Sequence, residues 1–238
     1  MKHADFVHLH LHTQYSLLDG AIKIPDLVKR VHDLHMPACA ITDHGNMFGA
    51  LEFYSKAIDA GVKPIIGCEI SVAPGSRFEK SGVRGSSEAS HHLLFLCMNQ
   101  VGYRNLCHLV SSAYREGFYY RPRIDWDQLQ DHNEGLIALS ACLGGELPSL
   151  LMNKKYDDAL SRAQEMASVF DNDRFYLELQ ENFIPEQKVA NEGLIKISQE
   201  VGLPLVATND CHYLTREAAY AHEVLLCIQT GKNMDDHD

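Results

Sequence analysis

Histidines, carboxylates and one cysteine recur along this chain in short clusters whose donor atoms suit metal ions. His8, His10 and His12 alternate within FVHLHLH, and Asp19 follows in the next loop. Further along come Thr42-Asp43-His44-Gly45, Glu69 in an apolar run, His91-His92, Cys142 after LIALSA, and Asn209-Asp210-Cys211-His212. Imidazole nitrogen, carboxylate oxygen and thiolate sulfur bind zinc, manganese or iron. Carboxylates can bridge two ions, and ions about 4 Å apart can activate water and stabilise the attacking and leaving oxygens of a phosphoester. Taken singly, each residue has a plainer role: a strand histidine is commonly a hydrogen-bonded core residue, Asp and Gly favour turns, and a lone cysteine packs as a small hydrophobe. Glu69 is harder to place that way, because a carboxylate buried without a positive partner is costly. Together, the clusters predict a metal-dependent phosphoesterase with two or three divalent ions.

Such residues need elements that bring them together. Short β-rich apolar runs alternate with segments of helical period. Strands are expected over 6–12, 38–42, 62–72, 91–98, 135–141, 175–180 and 203–208. Ile24, Leu27, Val28, Val31 and Leu34 mark one helical face, with Pro25 near its start, and further helices are expected over 46–60, 101–115, up to about 170, 185–201 and 216–228. Seven strand–helix alternations suggest an α/β fold, either a parallel barrel or a doubly wound sheet. In both, the C-terminal strand ends converge on one mouth, and most of the candidate ligands stand at such ends. In a strand, alternate residues share a face, which aligns His8, His10 and His12. His92 is the exception, because it begins its strand; either that strand is reached differently or the loop before it folds back, and His91 is the alternative ligand. Asp43, beside His44, is read as an orienter of a metal-bound histidine or a turn residue, and His8 as an orienter or a core residue.

Composition narrows the class. The chain has 238 residues, 45% hydrophobic and 22% charged, enough for one large domain or two small ones. No apolar run approaches the roughly 18 residues of a membrane span, and the N-terminus lacks an apolar signal core, so a cytoplasmic protein is expected. Seven scattered cysteines fit a reducing compartment and not a disulfide framework. A net charge of -11 argues against gripping nucleic acid by charge alone, although three divalent ions would add about six positive charges at one spot. The stretch 74–90 reads as a flexible loop with solvated Arg77, Lys80 and Arg84. In 113–126, Arg115, Arg121 and Arg123 lie among Phe118, Tyr119, Tyr120 and Trp126, a mixture that could guide single-stranded DNA or pack against a further domain. The end at GKNMDDHD, directly after a helix, reads as a truncation point in something longer.

FVHLHLHTQYSLLDG, AITDHGNMFGALEFY, IIGCEI, EGFYYRPRID, LSACLGGE and ATNDCHYL resemble the N-terminal PHP (polymerase and histidinol phosphatase) domain of bacterial replicative polymerase alpha subunits, in order and over essentially the whole chain 1–238. The resemblance implies a distorted seven-stranded βα (TIM-like) barrel. It implies nine metal ligands: His10, His12, Asp19, His44, Glu69, His92, Cys142, Asp210 and His212. Of these, His12, Asp19 and Asp210 are taken as the catalytic core. It further implies a 3′–5′ proofreading exonuclease that meets a DNA 3′ end, the remainder of the polymerase alpha subunit and, as a further partner, a separate exonuclease subunit. Polymerase chemistry itself is not expected here, because no second acidic triad appears. Two other functions stay open: a catalytically silent, metal-stabilised docking module, and a phosphatase or pyrophosphatase for small phosphate esters.

Overall fold

The protein is described from a computed structural model covering residues 2–81, 90–171 and 173–236. Arg84 and positions 82–89 of the expected loop lie outside the described residues. The strands are β1 Ala38–Ile41, β2 Lys63–Val72, β3 His91–Cys97, β4 Arg123–Ile124, β5 Leu136–Leu139, β6 Phe175–Gln180 and β7 Leu205–Thr208. The helices are α1 Ile24–Asp33, α2 Ala50–Asp59, α3 Gln100–Arg115, α4 Trp126–His132, α5 Glu146–Met152, α6 Tyr156–Val169, α7 Pro185–Val201 and α8 Ala219–Thr230. The chain divides into two compact units, Met1–Gly67 with Asp210–Asp238, and Cys68–Asn209.

In the first unit, Pro25 sits in the first turn of α1, where its missing N–H costs nothing. The α1 face of Ile24, Leu27, Val28 and Val31 packs with Cys39 and Ile41 of β1 and Phe53 and Ala57 of α2 into one core. β1 is buried along its whole length and pairs in parallel with the start of β2, Ala38 opposite Lys63 and Ile41 opposite Ile66. The expected first strand, 6–12, is not a regular strand. It is extended and hydrogen-bonded on both sides: Ala40 N donates to His8 O at 2.8 Å and Thr42 N to Leu11 O at 2.8 Å, while His12 N donates to Cys211 O at 2.8 Å. Three residues on this segment span two on β1, so one is extra, as in a β-bulge, and the ladder is interrupted.

In the second unit the sheet order is β2, β3, β5, β6, β7, with β4 added to β2 in parallel through Ser71 and Val72. β5, β6 and β7 run parallel. β3 does not: it is antiparallel to β5, Leu94 opposite Leu139 and Cys97 opposite Leu136. The expected all-parallel order is therefore corrected at this strand, and the short β4 was not anticipated. The reversal puts the start of β3 beside the residues that follow β5, where His92 N donates to Gly144 O at 2.9 Å. Phe95, Phe170 and Phe175 fill the core of this unit, with ring centroids 6.2 and 6.4 Å apart.

Candidate metal centre

The first unit gathers His10, His12, Asp19, His44, Asp210 and His212. Leu11 points into the apolar core, which sends its neighbours His10 and His12 to the opposite face, where both are fully buried. Their Nε2 atoms are 3.1 Å apart, and each lies close to Asp210 Oδ1, at 3.1 and 3.2 Å. The His12 ring stacks against those of His44 and His212, with centroids 4.1 and 4.4 Å away, and these two rings are 6.1 Å from each other. Asp19 Oδ2 meets both of them, 2.7 Å from His44 Nε2 and 3.3 Å from His212 Nε2. Burial pulls the Asp19 carboxyl upward, but its contacts with His212 and His44 outweigh that and hold the group well below the usual carboxylate range.

Backbone geometry sets up these positions. Asp210 adopts a left-handed φ of +52°, an uncommon conformation that short polar residues tolerate and that recurs at functional sites. Gly20, just after Asp19, lies so close to Thr13 that a Cβ there would stand 2.0 Å from the Thr13 carbonyl oxygen. Only glycine fits this tight return of the loop.

Hydrogen bonds fix which ring nitrogens face the cluster. Asp43 accepts from Thr13 N at 2.6 Å, from Thr13 Oγ1 at 2.8 Å and from Ser16 Oγ at 2.8 Å. With its own proton on Asp43, Ser16 Oγ accepts from His12 Nδ1 at 3.0 Å and from His44 N at 3.1 Å. We therefore assign the His12 proton to Nδ1, so the Nε2 lone pair faces Asp210. His212 Nδ1 likewise donates to Asp210 O at 2.9 Å, which turns its Nε2 lone pair toward Asp19. Lone pairs aimed at carboxylate oxygens repel unless a cation lies between them. A single proton serves only one of two rings sharing Asp210 Oδ1, whereas one metal ion can take all three atoms. Tetrahedral ligands about 2.05 Å from an ion stand about 3.3 Å from one another, close to the 3.1–3.2 Å separations seen. The donor set therefore fits a divalent metal.

In the second unit, Glu69 on β2 is buried and its carboxylate contacts His92 Nδ1. His92, not His91, makes this contact; His91 projects to the other side of β3, where Glu146 is among its charged neighbours. Cys142 lies on the turn after β5 that also carries Gly144, the acceptor for His92 N, but among the described residues it joins no compact donor group. His8 also joins none: it is half-buried against Phe6, with Nδ1 3.5 Å from Cys211 Sγ. Asp43, expected to orient a ligand histidine or to serve the turn, reaches His12 through Ser16.

The sequence reading missed Ser16, whose only signal is a hydroxyl one turn after His12. It also missed Glu178, a buried carboxylate on β6 that accepts from Gln180 Nε2 at 2.9 Å and from the Thr208 hydroxyl. Arg77 is not solvated: its guanidinium reaches Glu116 at 2.8 Å and Asp125 at 3.0 Å. Arg123 is buried on backbone carbonyls, 3.1 Å from Gly117 O and 2.7 Å from Glu79 O. Trp126 is covered by the Arg162 guanidinium at 4.0 Å. Arg123 and Trp126 are therefore structural and not a path for a strand of DNA.

Residues 8–182 match the family model for the PHP domain. The chain belongs to the PHP domain family. This PHP domain is 48% identical over 233 residues to a DNA polymerase III subunit alpha from Borreliella burgdorferi, a match that covers 98% of the chain and 20% of that protein. It is 51% identical over 233 residues to the DNA polymerase III subunit alpha of Thermus aquaticus, covering 97% of the chain and 19% of that protein. The chain thus spans about a fifth of the length of the curated relatives it matches. Among solved structures, its mixed α/β fold is similar to a protein from Bifidobacterium adolescentis described as a metal-dependent phosphoesterase, with TM-score 0.53, 15% identity and coverage of 89% of this chain and 90% of that one. It is also similar to an amidohydrolase from Chromobacterium violaceum with bound sulfate, with TM-score 0.52, 15% identity and coverage of 92% and 96%. No described helix is long and apolar enough to cross a membrane.

Proposed function

We propose that this PHP domain hydrolyses phosphodiesters with divalent metals and works as a 3′–5′ proofreading exonuclease within a cytoplasmic replicative polymerase alpha subunit. The observation that carries this reading is the turning of the His12 and His212 lone pairs onto Asp210 and Asp19 by separate hydrogen bonds. The high identity to polymerase alpha subunits supports DNA as the substrate, since those relatives are named for DNA synthesis. By the family motif, Glu69, His92 and Cys142 also count as metal ligands, and the family's fold is a βα barrel. Zinc, manganese or iron, two or three ions in all, suits the mixture of imidazole, carboxylate and thiolate.

Bound divalent ions lower the pKa of water toward about 7 and neutralise phosphoryl oxygens. The residues of the chain supply the rest. Asp210 and Asp19 hold negative charge between the rings, which raises the cation affinity of the cluster. Ser16 and Asp43 keep His12 in one tautomer. Burial of His10 and His12 excludes bulk water from their side of the cluster. No side-chain nucleophile is required.

The test is single-turnover digestion of a 3′-mismatched primer–template by protein stripped of metal and then supplied with zinc or manganese. Shortening from the 3′ end that needs metal and disappears in His12→Ala and Asp210→Asn, with both variants retaining native circular dichroism, supports the reading. Full activity in both variants would sink it.

A further inference from the structure

A short turn in the second unit sets an exposed arginine against a candidate ligand. Tyr119 N donates to Arg121 O at 3.0 Å, and Tyr120 at the tip takes a φ of +60°. A bulky aromatic residue in the left-handed region is an outlier, and such backbone clusters at binding and catalytic sites. The turn directs Arg121 at His92, with Nη1 2.9 Å from His92 Nε2. The other ring nitrogen of His92, Nδ1, faces the Glu69 carboxylate. Neighbouring cations have structural partners: Arg77 forks onto Glu116 and Asp125, and Arg123 is buried among backbone carbonyls. Arg121 differs in being exposed while still reaching the residue that touches Glu69.

We infer that Arg121 grips a phosphoryl oxygen of the substrate, anchoring the terminal nucleotide beside His92 and Glu69. This rests on the phosphoesterase reading and adds to it a residue that recognises the substrate. The chemistry favours it in two ways. A chain of net charge -11 needs local positive charge to receive a phosphodiester, and Arg121 places one at the Glu69–His92 pair. A planar guanidinium with five donors can fork onto two phosphoryl oxygens. Lysine, a point charge, would keep the attraction but lose the fork.

The test compares wild type, Arg121→Ala and Arg121→Lys for binding of thymidine 5′-monophosphate and of inorganic phosphate, which share the phosphoryl group. Bound metal is measured in parallel by elemental analysis, and mismatch digestion gives KM and kcat. In Arg121→Ala, both anions are expected to bind at least 10-fold more weakly and KM to rise by a similar factor, with metal content unchanged; Arg121→Lys recovers part of the loss. Equal anion binding in wild type and Arg121→Ala overturns the assignment and leaves Arg121 as a cap on His92. Loss of metal in Arg121→Ala also overturns it, because the arginine then only positions a ligand. A wild-type protein that binds neither anion and cleaves no phosphodiester overturns the phosphoesterase reading itself, and the role of Arg121 falls with it.

Discussion

Ser16 controls His12 through the placement of one proton. Its hydroxyl gives its hydrogen to Asp43 and leaves an oxygen for His12 Nδ1–H at 3.0 Å, all within a fully buried pocket. Groups that orient a ligand histidine in this way are worth about 10–100-fold in metal affinity. On the reading proposed above, Ser16→Ala should weaken metal binding by about that factor, measured by titrating the stripped protein with cobalt and following its visible absorption. Ser16→Thr, which keeps the hydroxyl, should stay near wild type. The loss of stability in Ser16→Ala should be small, about 1 kcal/mol by urea unfolding, as for one hydrogen bond. Unchanged cobalt affinity in Ser16→Ala would show that the Asp43–Ser16 relay has no hold on His12.

Elements act here mainly by where they end. Because β3 runs antiparallel to β5, its first residues lie beside the residues that follow Leu139, and His92 meets Glu69. In the first unit, the extra residue between His8 and Leu11 shifts the alternation of FVHLHLH, which separates His8 from His10 and His12. The loop that returns to Asp19 depends on Gly20, where a Cβ would lie 2.0 Å from the Thr13 carbonyl oxygen. The obstacle is backbone and cannot swing aside. Gly20→Ala should therefore destabilise the protein by about 1–3 kcal/mol, the usual range for forced overpacking, and should displace Asp19 from His44 and His212. Thermal unfolding reads the first effect and metal content the second. A Gly20→Ala protein with wild-type melting temperature would show that the loop has slack which the structure does not indicate.

Over the whole molecule, titration at alkaline pH follows from where thiols are buried. Burial pushes Cys39 up to about 12, with Cys211 adding to the effect, and burial likewise pushes Cys97 up to about 12, with Cys107 adding. A thiol whose folded pKa is raised contributes stability that is complete below its unfolded value near 9 and is lost as pH climbs toward 12. The melting temperature should therefore fall progressively above about pH 9, each thiol costing at most about 1.4 kcal/mol per pH unit. At pH 8, both thiols should resist alkylation in the native state. Cys39→Ala should flatten the alkaline decline, and an identical slope in that variant would assign the decline to other groups.

Donor types and their place along the chain were readable from residues alone, because metal chemistry restricts ligands to few side chains and strands announce themselves by β-branched apolar runs. His10, His12, His44, Asp210 and His212 stood out as donors in short motifs, although the local pattern did not separate His8 from them. Helix α1 followed from its apolar spacing and Pro25, and α7 ran from Pro185 to Val201 as its period implied. What local pattern does not encode is partnership. Strand direction depends on a neighbour distant in sequence, so the reversal of β3, and with it the reason His92 and not His91 meets Glu69, became visible only with the sheet. The same holds for a ring proton, which goes wherever an acceptor waits: Ser16 for His12 and the Asp210 carbonyl for His212. Charge is equally ambiguous in a linear chain. Arg77, Arg121 and Arg123 look alike there, and only the tertiary structure separates an ion-paired arginine, a buried one and the exposed one aimed at His92, because burial and distance decide what a guanidinium can reach.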